Sequence, residues 1–329
     1  RIYQGYFKSM KALFLTSYGG EGYGHIFRCM AISSALDEFK IKNKFLVSSK
    51  DKKKILSKEK LLNNFNWYKS KKKTFNIINK YELVIVDSII IKKKYLEELK
   101  NKCKYLVYIN DYHRWKINNI LHIDWTLFSK KQVNKTEING HTYTPLRKEF
   151  WTNDKVKIRK KIKKIFIFFG GADIHNLSYK ICKIINSFKK NYLVTVISKN
   201  KFNFKNTKCV KYMNAKSIKK NILNSDLVIT SGGQTLYELA NLGAPALVVS
   251  ETKYDLEDVN AWQKQKSIIY LGKWNAKNFT KTFIKKFEAI EPHLIRNRLS
   301  KNGKKIIDGK GALRLVKEIL KYASNNSKK

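Results

Sequence analysis

A histidine stands at the end of a glycine-rich loop, where a predicted strand is followed by a predicted helix. The loop reads Gly19-Gly20-Glu21-Gly22-Tyr23-Gly24-His25. The backbone N–H groups at a helix start attract anions, and glycine lets a ligand approach the backbone closely. An imidazole at this position can act as a general base near neutral pH. We therefore take His25 as the candidate catalytic base, and Gly22 and Gly24 as candidate substrate-binding positions.

Simpler interpretations of this loop remain open. His25 could cap the helix or bond a neighbouring loop, and Arg28, one turn later, either orients an anionic group of a substrate or is solvated. The loop is not a dinucleotide-binding fingerprint, because the next predicted strand, 44–48, ends without an acidic residue. It also lacks the Gly-Lys-Ser/Thr of a phosphate-binding P-loop.

Two further glycine-ended strands in the second half of the chain predict a diphosphate site. Hydroxyl groups and backbone N–H groups at the helix starts would hold the phosphates. The candidate residues are Gly170, Gly171, Asp173, Asn176, Ser231, Gly232, Gly233, Gln234 and Thr235. Glu238, one turn into the second helix, could accept hydrogen bonds from both hydroxyls of a ribose. Its alternative role is that of a first-turn acid stabilised by the helix dipole.

Alternating short apolar strands and amphipathic helices must position these loops. Such alternation predicts parallel sheets covered by helices on both faces. The pattern lapses over 145–164, where we place a domain junction. The predicted fold is α/β, with two doubly wound, Rossmann-like domains facing a central cleft. The predicted strands are 11–17, 44–48, 82–87, 105–110, 164–169, 192–198, 227–229, 246–250 and 267–270, and the predicted helices are 26–39, 93–103 and 309–323.

Composition excludes several classes of protein. The 329 residues contain 43% hydrophobic side chains, which excludes intrinsic disorder. The 69 basic and 25 acidic residues give a net charge of +44, which attracts polyanions. The cysteines and histidines show no metal-ligand spacing, and no apolar run is long enough to span a membrane. We expect a cytoplasmic protein that binds no metal.

Several segments together resemble the hydrolases that cleave UDP from UDP-2,4-diacetamido-2,4,6-trideoxy-β-L-altropyranose in pseudaminic acid biosynthesis. They occur in the order of that family and extend over nearly the whole chain. The matching segments are GYGHIFRCMA at 22–31, VDS at 86–88, ND at 110–111, YTPLRKEF at 143–150, GGADIHNL at 170–177, residues 231–245 and DGKGALR at 308–314.

This resemblance implies a GT-B fold, similar to that of the GlcNAc transferase that makes the peptidoglycan lipid precursor. It implies a sugar-side domain at 10–150 with the catalytic His25, a UDP-binding domain at 151–308 and a final helix at 309–329 that crosses back to the first domain. The implied reaction is hydrolysis of a UDP-activated diacetamido-trideoxy sugar without a cofactor. Glu238 would contact the ribose, and Asp87 joins the substrate-binding candidates.

Two departures from the family pattern keep other functions open. Ile89 follows Ser88 where the family often has tyrosine, and the family's Asn-Gln pair has no counterpart near Tyr254. We place Tyr254 and the nearest asparagine, Asn260, among the substrate-binding candidates. The alternatives are a GT-B glycosyltransferase and a polyanion-binding protein on an inactive scaffold. We expect a monomer that binds a UDP-sugar and no specific nucleic acid, with weak contact to an anionic membrane surface left open.

Overall fold

A computed structural model describes residues 10–19, 22–51, 55–170 and 173–326, except for the side chains of residues 253–255. The chain forms two compact units. The first takes the chain up to Lys148 and again from Lys310, and the second is Glu149–Gly309.

The first unit is built on one twisted sheet with the strand order β3-β2-β1-β4-β5-β6-β8-β7. All neighbouring strands are parallel except β7 and β8. The strands are β1 (Lys11–Ser17), β2 (Lys42–Ser48), β3 (Leu61–Asn64), β4 (Leu83–Asp87), β5 (Tyr105–Ile109), β6 (Leu121–Asp124), β7 (Gln132–Val133) and β8 (Glu137–Asn139). The helices are α1 (Gly24–Glu38), α2 (Lys71–Ile78), α3 (Lys93–Lys100) and α10 (Gly311–Asn325), with 3₁₀ turns at Asp111–His113 and His141–Tyr143.

The second unit contains a sheet of six parallel strands in the order β11-β10-β9-β12-β13-β14. The strands are β9 (Lys164–Phe168), β10 (Leu193–Ile197), β11 (Thr207–Val210), β12 (Leu227–Ser231), β13 (Ala246–Ser250) and β14 (Ile269–Lys273). The helices are α4 (Leu177–Asn186), α5 (Ala215–Asn224), α6 (Gln234–Leu242), α7 (Lys253–Lys264), α8 (Phe279–Ile290) and α9 (His293–Ile306). A 3₁₀ turn, Lys148–Phe150, lies at the boundary of the units.

Apolar residues of the central strands form the cores. β4 and β5 are buried along their full lengths, as expected for parallel strands covered on both faces. One face of the first sheet packs Leu13, Leu15, Val84 and Val86 around the buried Trp67. Two doubly wound parallel-sheet units confirm the predicted α/β class.

The last helix, α10, packs against α1 within the first unit. It begins at Gly311, where an added Cβ atom would lie 2.2 Å from the Thr144 carbonyl oxygen, so only glycine fits there. Arg314 donates from Nε and Nη2 to the Thr142 carbonyl oxygen, at 2.9 and 2.7 Å. These contacts join the helix start to the turn at residues 141–144.

Some predicted element boundaries were wrong. The helix predicted at 93–103 ends at Lys100, and the strand predicted at 267–270 lies at Ile269–Lys273. Strands β3, β6, β7, β8 and β11 were not predicted. All four side chains of β3, Leu-Leu-Asn-Asn, are exposed, so this edge strand has no alternation of apolar and polar residues to reveal it.

Candidate functional site

Three carboxylates lie at one edge of the first sheet. Asp87 and Asp124 are the last residues of β4 and β6, and Asp111 follows β5. Because these neighbouring strands are parallel, their carboxyl ends meet at the same edge. Thr16 of β1 pairs with Asp87 in register, so the loop from β1 to His25 starts at this edge too. The sheet topology thus gathers charged side chains from distant parts of the sequence.

His25 and Asp87 form a carboxylate–imidazole pair. His25 Nδ1 lies 2.7 Å from Asp87 Oδ1, and the exposed fractions of the two side chains are 14% and 0%. An ionised carboxylate only accepts hydrogen bonds, so Nδ1 carries the proton in this contact. The other ring nitrogen, Nε2, is then the basic one. His25 does not serve as a helix cap, because its imidazole bonds Asp87.

Arg28 fixes the carboxylate of this pair. Its Nε and Nη2 donate to the two oxygens of Asp87, each at 2.5 Å, and its Nη1 donates to Asp111. Nη2 also lies 2.8 Å from His25 Nδ1. The side chain is only 11% exposed, and the guanidinium lies over the Trp125 ring at 5.3 Å. The solvated alternative for Arg28 was therefore wrong. Its guanidinium contacts two aspartates, and its contact with substrate stays a prediction.

Asp87 stays ionised in this setting. Burial alone would raise its pKa, but the Arg28 guanidinium, followed by His25, outweighs burial and holds the pKa of Asp87 well below its ordinary value. Because Asp87 is fully buried and bonded to His25 and Arg28, the structure does not support its predicted direct contact with substrate. It positions His25 instead.

Asp111 extends the network away from His25. Its Oδ1 accepts from Arg114 Nη2 at 2.7 Å, while Oδ2 accepts from Arg28. Sequence reasoning found Asp111 only as part of a matching segment and gave it no role. The available signal was its place at the carboxyl end of a buried parallel strand, where Asp87 also lies.

Two glycines of the segment before α1 contact each other. Gly19 and Gly22 exchange backbone hydrogen bonds of 3.0 and 2.9 Å, and Gly22 has a φ of +88° that favours glycine. A Cβ atom added at Gly22 or Gly24 would meet no atom within 4 Å. Tyr23 directs its hydroxyl to Asp51, and this hydrogen bond raises the pKa of Tyr23 to about 12. The loop thus leaves open space at the two predicted glycines.

The loop after β9 was predicted to bind phosphate, but Asp173 has another role there. Gly170 has a φ of +60°, and a Cβ atom added there would meet nothing within 4 Å. Gly171 lies outside the described residues. The carboxylate of Asp173 accepts from the backbone N–H groups of Leu177 and Ser178 at 2.8 and 3.2 Å. Asp173 therefore caps α4, which corrects its assignment as a phosphate ligand, since a carboxylate would also repel phosphate. Asn176 is exposed at the N-cap of α4.

The loop after β12 presents polar groups at the start of α6. The residues Ser231, Gly232, Gly233, Gln234 and Thr235 are all half-buried. Gly233 has a φ of +88° and donates its N–H to Asp258 Oδ2 at 3.1 Å. Tyr237 donates its hydroxyl to Asp258 Oδ1 at 3.3 Å. Asp258, which sequence reasoning missed because it lies within a helix, holds the shape of this loop from α7.

The remaining candidates in the second unit lie in different surroundings. Glu238 is buried in α6, with 2% of its surface exposed. Asn260 is exposed on α7. The backbone of Tyr254 lies in α7, but its side chain is outside the described residues.

Within residues 10–19, 22–51, 55–170 and 173–326, no group of three or more His, Cys, Asp or Glu side chains could hold a metal ion. In the same part of the chain, no helix has the length and apolar character to cross a membrane.

No protein-family model matches the chain. An uncharacterized protein of Methanocaldococcus jannaschii is 28% identical over 282 residues, which cover 76% of this chain. The match spans 57% of the length of that archaeal protein.

Solved structures match nearly the whole chain. MnaA of S. aureus, solved with UDP, matches with a TM-score of 0.68 and 14% identity, covering 97% of this chain and 98% of its own. MurG of Acinetobacter baumannii matches with a TM-score of 0.64 and 11% identity, covering 94% and 99%. The chain has a GT-B fold. UDP-GlcNAc 2-epimerase of Neisseria meningitidis, bound to UDP-GlcNAc, matches with a TM-score of 0.61 and 14% identity, covering 95% and 100%.

Proposed function

We propose that this GT-B protein is an enzyme that hydrolyses a UDP-activated diacetamido-trideoxy sugar, releasing UDP and the free sugar in nonulosonic acid biosynthesis. The observation that carries the proposal is the His25–Asp87 pair at the carboxyl edge of the first sheet. The matching sequence segments support the sugar class. The solved structures of similar fold that hold UDP or UDP-GlcNAc support a UDP-sugar as the substrate.

In the proposed reaction, His25 activates water. The water oxygen attacks the anomeric carbon, the bond from that carbon to the phosphate oxygen breaks, and UDP departs with the bonding electrons. Nε2 of His25 takes the proton of the water, and the resulting imidazolium is stabilised by the buried Asp87. Arg28 keeps Asp87 ionised and in place throughout.

We assign UDP to the second unit. The half-buried loop at Ser231–Thr235 offers backbone N–H groups at the start of α6, where the helix dipole favours the charge that develops on the leaving diphosphate. Gly170 leaves open space after the neighbouring strand β9. Glu238 is the proposed ribose ligand.

Replacing Glu238 by Ala is expected to weaken UDP binding about 10-fold or more, because a hydrogen bond to a charged acceptor is lost. Binding of orthophosphate should change little, since the phosphate-binding N–H groups remain. Calorimetric titration of both ligands measures the difference, with Glu257→Ala on the exposed side of α7 as the control. If the affinities for UDP and for orthophosphate fall equally, Glu238 does not contact the ribose and only stabilises the fold.

A glycosyltransferase is the second candidate function. The family's Asn-Gln pair has no counterpart beside Tyr254 in this sequence. If that asparagine holds the attacking water, its absence favours transfer to another acceptor over hydrolysis. Sugar or lipid hydroxyl groups would then replace water, with His25 in the same role.

The test is incubation of the protein with a panel of UDP-sugars in the absence of any acceptor, with released UDP measured. Release of one UDP for each free sugar formed is expected for at least one diacetamido sugar. A protein that binds UDP-sugars but releases UDP only when a second hydroxyl compound is added would be a transferase, and the hydrolase proposal would be rejected.

A further inference from the structure

A second imidazole–carboxylate contact lies at the same edge of the first sheet. His113 Nε2 is 3.4 Å from Asp124 Oδ2, where Asp124 ends β6. The mechanism proposed above uses neither residue. Asp111 and Arg114, the neighbours of this histidine in sequence and space, belong to the network that holds Asp87. The second pair thus adjoins the first through Arg28 and Asp111.

Only one of the two oxygens of the Asp124 carboxylate accepts hydrogen bonds from the described residues. Its Oδ1 accepts from the backbone N–H and the hydroxyl of Thr126, at 2.9 and 2.7 Å. Its Oδ2 is buried and has no hydrogen-bond partner among the described residues. The distance of 3.4 Å to His113 is too long for a good hydrogen bond. A buried polar atom of this kind requires an explanation, because leaving it unpaired is unfavourable.

The two side chains differ in exposure. Asp124 is 2% exposed, whereas the His113 side chain is 64% exposed. Burial raises the pKa of Asp124. The imidazole therefore covers a buried carboxylate oxygen and can rotate away from it into solvent.

The backbone holds His113 in an uncommon conformation. Tyr112 and His113 have φ values of 64° and 48°, in the left-handed region that few residues other than glycine adopt. The turn is braced by Asn110, whose side chain donates to the Trp115 carbonyl at 2.8 Å and accepts from the Trp115 N–H at 3.1 Å. The backbone that carries the imidazole is thus held by the fold, whereas the exposed ring itself can turn.

Asp124 Oδ2 is buried while the imidazole lies over it, so a ligand hydroxyl reaches this oxygen only when the exposed His113 ring turns aside. The hydroxyl then lies between the two side chains. A hydroxyl can donate to the carboxylate oxygen and accept from a ring N–H at the same time, whereas an amide N–H can only donate.

We propose that His113 and Asp124 bind a hydroxyl group of the sugar in the nucleotide-sugar substrate. This proposal rests on the proposed function, because it takes the ligand to be a UDP-sugar. It adds two binding residues that contact the sugar and not the nucleotide.

The test separates sugar contacts from nucleotide contacts. UDP, UDP-GlcNAc and a UDP-2,4-diacetamido-2,4,6-trideoxyhexose are titrated calorimetrically into the protein carrying His25→Asn, so that turnover does not consume them. At least one sugar nucleotide is expected to bind more tightly than UDP. Adding His113→Ala or Asp124→Asn should lower its affinity about tenfold, while the affinity for UDP stays nearly constant. Adding His113→Gln, which retains an N–H donor, should restore part of the loss.

His141→Ala is the matched control, because His141 belongs to the same unit and lies outside this network. The proposal is overturned if neither sugar nucleotide binds more tightly than UDP, or if His113→Ala weakens UDP as much as the sugar nucleotide. It is also overturned if the loss with His113→Ala is no larger than with His141→Ala. Turnover is measured separately on the protein with His25 in place. A sugar-dependent loss of affinity without any hydrolysis would reject the hydrolase function and leave the sugar contact standing.

Discussion

Replacing His25 by Asn lowers the turnover of the UDP-sugar by about 10² to 10⁴-fold, the usual contribution of a general base. Asparagine keeps a polar side chain of similar reach, but it has no basic nitrogen to take the proton of water. Affinity for UDP should be nearly unchanged, because we assign the nucleotide to the second unit. Single-turnover measurements of UDP release, together with UDP titration, check both parts of this prediction.

His141→Asn is the control for this experiment. His141 lies in the same unit, in the 3₁₀ turn His141–Tyr143, and should tolerate the change without loss of activity. If His25→Asn retains turnover within a few-fold of the parent protein, or loses UDP binding together with activity, His25 has a structural role.

Replacing Asp87 by Ala is expected to destabilise the protein by about 3–5 kcal/mol, the usual cost of removing one partner of a buried ion pair. The carboxylate is fully buried, and its removal takes away two hydrogen bonds from Arg28 and one from His25. Equilibrium denaturation in urea measures the change in the free energy of unfolding. Glu38→Ala is the control, because Glu38 pairs with Lys148 at an exposed site where the ion pair contributes little.

The pH dependence of stability should identify Asp87 as the cause. Its pKa in the folded protein is lowered, so its contribution is complete above the pKa of the unfolded chain, about 3.9, and is lost as the pH falls through the lower folded value. Asp87→Asn should therefore reduce stability at pH 7, and the difference from the parent protein should shrink below about pH 4. A difference that is constant with pH would contradict the ion-pair account.

The sequence predicted the parts of the site that depend on regular patterns. Apolar runs at β1, β4 and β5 predicted parallel strands, and the carboxyl ends of such strands meet at one edge. The pattern placed His25 at that edge, whereas Asp87 was named only through the family resemblance; the structure has both at the same edge. The pattern could not show that Asp87 contacts Arg28 and His25 rather than substrate, because that depends on side-chain direction at the end of a strand.

Other roles depend on local backbone geometry that no pattern in the sequence reveals. Asp173 was assigned to phosphate because it follows a glycine pair, yet its carboxylate caps α4. Asp258 contacts the Gly233 N–H and the Tyr237 hydroxyl, and Asp124 contacts Thr126 and lies beside His113. Neither has a spacing that separates it from the other acidic residues of the chain.

The most direct test of the account is hydrolysis in ¹⁸O-labelled water, with mass spectrometry of both products after a short reaction. The account predicts that water attacks the anomeric carbon, so the label enters the free sugar and UDP carries none. Label in the terminal phosphate of UDP would show attack at phosphorus, which contradicts the role of His25 as the base that delivers water to the sugar.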